Sequence, residues 1–286
     1  MSSVLFDKPG PRTTARHRLY TALASALLLL VVGFFVWRMS DTGQFAYEKW
    51  EPFLTPAYIQ ALLVDGLLKT LQMAVTSILF AVAFGVVFGI GKLSDRAWLR
   101  WPCWAVVEFF RAVPLLLLIV FIFFTYGIGD TGIGSYWSVV IGLTLYNGSV
   151  LAEVFRAGIN AVPRGQSEAA YAIGMRKSQV MMTVLMPQGV KLMLPAIISQ
   201  CVVALKDTSL GFYVLAPGLT RVGKDIYTQF ANQVQTAIVV AALYILVNMA
   251  LSWVATWAQR KFVGENRRLV TTATTNETGG IPGGAI

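Results

Sequence analysis

The sequence predicts an all-α integral membrane protein of about six transmembrane helices, and three observations carry that prediction. Of 286 residues, 56% are hydrophobic and only 13% are charged, against about 25% charged in an ordinary soluble domain. The mean hydropathy is +0.64, and the apolar residues are gathered into runs of roughly twenty, the length that crosses a bilayer core as helix. Finally, the Lys and Arg residues sit between those runs and favour alternate sides.

Residues 1–18 form a polar N-terminal tail with Lys8, Arg12, Arg16 and Arg18 before the first apolar run, 19–37. That run has no small-residue cleavage site, since Trp37-Arg38-Met39 follows, so it reads as a retained span rather than a leader. Residues 38–59 hold Asp41, Glu48, Glu51, Pro52 and Pro56 and read as an external loop. The second span covers 61–90 and ends on Gly85-x-x-x-Gly89, a spacing that lets helices approach closely. A basic connection with Lys92, Arg96 and Arg100 leads to a third span, 103–128, broken by Pro114. A Gly-rich turn precedes the fourth span, 136–159, and the longest internal loop follows at 161–190. The fifth span is 192–214, an external loop occupies 215–233, and the sixth span is 234–259. Beyond it, 261–286 reads as a Thr-, Asn- and Gly-rich disordered tail carrying Lys261, Arg267 and Arg268.

With the N-terminus inside, roughly sixteen Lys and Arg fall on the cytoplasmic side and about five on the other, so both termini are expected in the cytoplasm of a plasma or inner membrane protein. The net charge of +9 is then topological and directed at anionic lipid, and nucleic-acid binding is not expected. Cys103 and Cys201 are isolated and His17 is alone, so neither a disulfide framework nor a metal site is expected. No Ser/His/Asp or Cys/His set suggests an enzyme, and no half-to-half similarity suggests an inverted-repeat transporter.

The loop at 163–190 is the informative segment. Glu168 to Ile173 reads as a short Ala-rich helix with Gly174 as its left-handed stop, and 178–186 as a second short helix ended by Pro187. Arg164, Arg176 and Lys177 keep this knob in water, and small alanines permit close approach of a partner. An ordinary amphipathic loop under its own bundle would have the same physics.

Glu168-Ala169-Ala170, Gly174 and Val184-x-Met186-Pro187 resemble the EAA loop of ABC importer permeases, with Val184 and Met186 standing where that pattern has Ile and Leu. Around them, Tyr146–Ser149, Ala152–Ile159, Lys206–Leu210, Arg111-x-x-Pro114 and Thr70-Leu71 resemble the polar amino acid permeases, over about residues 60–260. The resemblance implies a type I importer permease: a five-helix core at 60–260, preceded by an extra helix at 19–37. It implies that Glu168, Ala169, Ala170, Gly174 and Pro187 form a coupling helix seated on a separate ATPase dimer. It implies three further partners: a second or homologous permease, an extracellular or periplasmic amino-acid-binding protein and membrane lipid. The leader and extra helix are similar to those of actinobacterial glutamate permeases, which makes glutamate the first-choice solute. ATP belongs to the partner: Gly85 to Lys92 lacks the spacing and hydroxyl of a phosphate-binding loop, and no cofactor is expected in this chain.

Charges within spans are functional by default. Glu108/Arg111 and Glu153/Arg156 are three apart and share helix faces, and both pairs lie toward the cytoplasmic ends of their spans. Arg111, Asn147, Glu153, Lys206 and Asp207 are the candidate residues of a translocation path; structural or gate-lining ion pairing is the favoured reading for Arg111 and Glu153 and helix-to-helix hydrogen bonding for Asn147, while for Lys206 and Asp207 a path role and a structural one weigh evenly. The rival reading is an autonomous channel or secondary transporter for a small polar solute.

Overall fold

The computed structural model describes residues 10–263, and every element among them is helical. We label nine principal helices α1 (Pro11–Asp41), α2 (Pro56–Lys92), α3 (Ala97–Ala112), α4 (Leu115–Gly127), α5 (Gly134–Asn160), α6 (Arg164–Ala172), α7 (Lys177–Val214), α8 (Leu219–Phe230) and α9 (Gln233–Val263). Five of them (α1, α2, α5, α7 and α9) are long and apolar enough to cross a membrane, and α3 with α4 supplies a sixth crossing if the pair counts as one. The chain is thus a multi-pass membrane protein. Expectations for 1–9 and 264–286, including Arg267 and Arg268 of the tail, lie outside the described residues.

The chain divides into two compact units. The first combines residues up to 79 with 114–143 and 205–247. Its core packs Met73 of α2, Ile119 of α4, Val139, Val140 and Leu143 of α5, Val214 at the end of α7 and Ala216 after it. A second cluster in the same unit joins Leu62 of α2 to Leu219 and Ile226 of α8, with Val240 and Tyr244 of α9 against them. The second unit combines 80–113, 144–204 and 248 onward. Here the Gly85/Gly89 spacing works as read. A Cβ on Gly85 would lie 2.7 Å from the Leu151 Cβ, and one on Gly89 3.0 Å from the Ala152 carbonyl oxygen, so α2 and α5 meet backbone to backbone.

Four details differ from the sequence reading. First, α1 starts at Pro11, whose fixed φ and missing N–H suit the first helical position, so residues 11–18 are helix rather than tail. It closes on Gly43 at φ 64°, with Gly43 and Gln44 N–H donating to the Ser40 and Met39 carbonyls. Second, residues 47–60 are short helical turns rather than open loop, clasped to the start of α9. The fully buried Gln235 donates to the Gln44 carbonyl and Asn232 to that of Lys49 (2.9 Å). Third, 215–233 contains a helix, α8. Leu219, Val222, Gly223, Ile226 and Phe230 recur at helical spacing on its inner face. Fourth, Pro187 does not end a helix, because α7 runs unbroken from Lys177. A widened turn at Val180–Leu185 accommodates the missing N–H and the ring.

Candidate functional site

The knob at 163–190 is built entirely within the second unit. The α6 helix ends in a full C-terminal cap: Gly174 takes φ 85°, its N–H donates to the Tyr171 carbonyl (2.9 Å), and Met175 N–H reaches the Ala170 carbonyl (3.2 Å). A side chain at 174 would strain that left-handed turn, which accounts physically for glycine there. The next helix starts at Lys177, and its free end is satisfied from inside: the Gln179 Oε1 accepts the Arg176 N–H at 2.8 Å.

Three contacts hold the knob. Ala170 and Val180 are buried between its two helices. The Gln188 Nε2 donates to the Gln166 Oε1 at 3.3 Å. Lys177 pairs with Asp95 in the connection before α3. The outward face is left open: Glu168, Ala169, Gly174 and Pro187 are exposed, and beside them Tyr171 and Ile173 show large apolar surface, Ile173 at 79%. An isoleucine exposed to that degree at a helix end is surface for a partner rather than core.

The charges of the same unit form one network. Glu108 of α3 accepts from Arg111 (3.3 Å), and Glu153 of α5 from Arg156 (2.9 Å), as the three-residue spacing implies. The sequence reading missed Lys92, placed there as a loop lysine. It is the last residue of α2, its side chain is only 5% exposed, and its ammonium bridges Glu153 and Glu108, the latter at 3.2 Å. The one local cue is that Lys92 follows a Gly-Ile-Gly that lets its helix end lie close to others; nothing in the sequence names its partners. Here a Cβ on Gly91 would collide with the Cys103 sulfur. Above the network opens a cavity of about 520 Å³, its wall completed by Arg100, Trp101 and Trp104.

Of the remaining path candidates, Asn147 is buried and its Oδ1 accepts from Gln200 of α7, while its Nδ2 finds no partner among the described residues. Lys206 and Asp207 belong to the other unit. They end the regular part of α7 before the tighter turn Thr208–Val214, Lys206 exposed and Asp207 half-buried. Arg111, Asn147 and Glu153 thus share one unit, with only Arg111 and Glu153 in the Lys92 network.

Residues 81–264 match the family described as binding-protein-dependent transport system inner membrane component. The chain belongs to that family and is a transport component of the membrane. It is 39% identical over 226 residues (78% of this chain, 83% of the relative) to the glutamate transport system permease protein GluD of Corynebacterium glutamicum. It is 32% identical over 198 residues (68% and 91%) to the probable glutamine ABC transporter permease protein GlnP of Bacillus subtilis. Among solved structures it matches a crystal structure of an amino acid ABC transporter with histidines at TM-score 0.67 and 27% identity, covering 73% of this chain and 98% of that one. A methionine ABC transporter, MetNI, in an inward-facing conformation shares the fold at TM-score 0.59 and 22% identity, covering 70% and 95%. The all-α, type I importer permease architecture read from the sequence is the one these structures share.

Proposed function

We propose that this chain is the membrane-spanning permease subunit of an ATP-driven importer of a polar amino acid, with glutamate as the solute. It couples to separate ATPase subunits through Glu168, Ala169, Ala170, Gly174 and Pro187. The observation that carries the reading is the open face of α6: a rigidly capped helix whose exposed Tyr171 and Ile173 flank an exposed carboxylate. Likeness to glutamate and glutamine permeases supports the solute class. The ATPases bind ATP, and their closure draws two such knobs together. The chain pairs with a second copy or a homologous permease and receives solute from an extracellular or periplasmic binding protein. Both termini lie in the cytoplasm, by the charge count of the loops. ATP binding need only favour one packing of the bundle over another for transport to follow.

Along the path, Lys206, Asp207 and Asn147 supply polar groups within spans. Arg111 and Glu153 act with Lys92 as a charge lock at the cytoplasmic ends of their helices. The test is co-purification with the neighbouring ATPase and ligand-stimulated ATP hydrolysis across amino acids in liposomes. Glu168→Lys combined with Gly174→Asp is expected to abolish ATPase association and uptake while the chain still inserts. Uptake by the chain alone, without ATPase subunits, would sink the importer reading in favour of a channel or secondary transporter.

A further inference from the structure

The α8 helix packs its apolar side within its own unit. It lies in a groove between α2 and α9, antiparallel to both. At its start, Leu219 packs on Gly66, and its N–H donates to the Thr70 Oγ1 (2.9 Å). At its end, Phe230 meets the Tyr58 ring edge-on at 5.3 Å between centroids. Gly223 faces Val240 and Thr236 so closely that a Cβ there would stand 2.9 Å from the Val240 side chain. Two non-glycine residues in the left-handed region, Leu215 (φ 54°) and Ala231 (φ 50°), turn the chain before and after it.

These contacts fix its depth. Thr70 lies roughly 21 Å along α2 from Pro56 at 1.5 Å per residue. Tyr244, whose hydroxyl sits among Thr70, Thr208 and Thr220, lies roughly 16 Å along α9 from Gln233. The helix starts at Pro56 and Gln233 lie beside the aromatic cluster of Trp50, Phe53, Tyr58 and Phe230, the kind of residues that mark a membrane interface. In a hydrocarbon core about 30 Å thick, α8 therefore begins at mid-depth.

At that depth it presents a polar stripe. Arg221, Lys224, Asp225 and Thr228 follow the i, i+3, i+4, i+7 spacing of one helix face, with Gln229 beside them. Asp225, Thr228 and Gln229 are exposed, and Arg221 and Lys224 half-exposed. Ionised side chains are costly against hydrocarbon, so lipid does not suit this stripe. Its charges are not balanced. The Arg221 Nε pairs with the Asp225 Oδ2 at 3.2 Å. The Lys224 ammonium has no carboxylate partner among the described residues and stands 5.7 Å from the Phe212 ring centroid.

We propose that this face of α8 lines the outer half of a water-filled path through the membrane, and that Lys224 is its contact for the carboxylate of an anionic amino acid. The identity of the solute rests on the importer reading above; the wet face does not.

The experiment uses the transporter assembled in cells, with Asp225→Cys, Thr228→Cys and Gln229→Cys labelled by a membrane-impermeant thiol reagent. Exposed apolar positions of α2, Leu63→Cys and Leu68→Cys, serve as lipid-facing controls. The unsubstituted chain with Cys103 and Cys201 gives the background. The three α8 positions are expected to label from outside, the α2 controls not. External glutamate is expected to slow labelling of Gln229→Cys, and adding Lys224→Gln is expected to raise the half-protecting concentration about tenfold, with Lys224→Arg restoring it. Labelling of α8 only by a membrane-permeant maleimide, or by neither reagent, overturns the wet face. Protection unchanged by Lys224→Gln overturns the contact. If the ATPase fails to associate while the labelling pattern holds, the importer reading falls and the path stands.

Discussion

In the unit that holds Lys92, five ionisable side chains from three helices pair with one another and leave a nearly buried ammonium between two carboxylates. On α8, in the other unit, the apolar side of the helix is packed tightly, and an exposed stripe keeps one ion pair and one unmatched lysine. The first arrangement gives every charge an ion-pair partner and nearly buries the ammonium at its centre. The second is stable only where water or a hydrated solute reaches it. Charge of the same kind, at similar distances from helix ends, therefore signals a structural lock in one place and a solvated surface in the other. The distinction rests on partners, which neither composition nor hydropathy records.

The sharpest break between the two regions is expected at Lys92. Lys92→Glu puts three carboxylates together where one ammonium bridged two. Removing one partner of a buried pair typically costs about 3–5 kcal/mol. The variant is expected to lose monodisperse protein on size exclusion in detergent, or to unfold at a much lower temperature, whereas Lys92→Arg keeps the charge and most of the stability. Unchanged melting in Lys92→Glu would mean that the network is solvated like α8.

Next in size is Leu219→Ala. Leu219 is fully buried against Gly66 and anchors the start of α8. Its truncation is expected to cost about 2–5 kcal/mol, read as a lowered unfolding midpoint. The same change at the exposed Leu63 should cost far less. Equal effects at the two positions would show that α8 does not depend on its groove.

Much of this was legible in the sequence. The spans could be read because a bilayer demands long apolar runs, and the α6 stop because Gly174 has a single backbone use there. The i, i+3 carboxylate–arginine pairs follow from helix geometry alone. What was not legible has a common cause. Lys92 looked like a loop residue because its partners, Glu108 and Glu153, are brought to it only by tertiary packing. α8 looked like a loop because Arg221, Lys224 and Asp225 dilute its hydropathy, although Leu219, Val222, Gly223, Ile226 and Phe230 keep helical spacing. Pro187 was read as a helix end because nothing local announces the widened turn that lets the helix absorb a proline.

The smallest expected effect is the one that discriminates best. Asp225→Asn removes the partner of Arg221 on α8. If the stripe is wet, the pair behaves as a surface ion pair, worth under about 1 kcal/mol, and the unfolding midpoint should barely move. If instead the stripe faced lipid or a dry partner surface, the orphaned guanidinium would carry a cost approaching that at Lys92, about 3–5 kcal/mol. Measuring Asp225→Asn beside Lys92→Glu in the same detergent thus compares a solvated charge with a locked one. A large loss at Asp225 would place α8 in the same class as the network and remove the reason for expecting water along it.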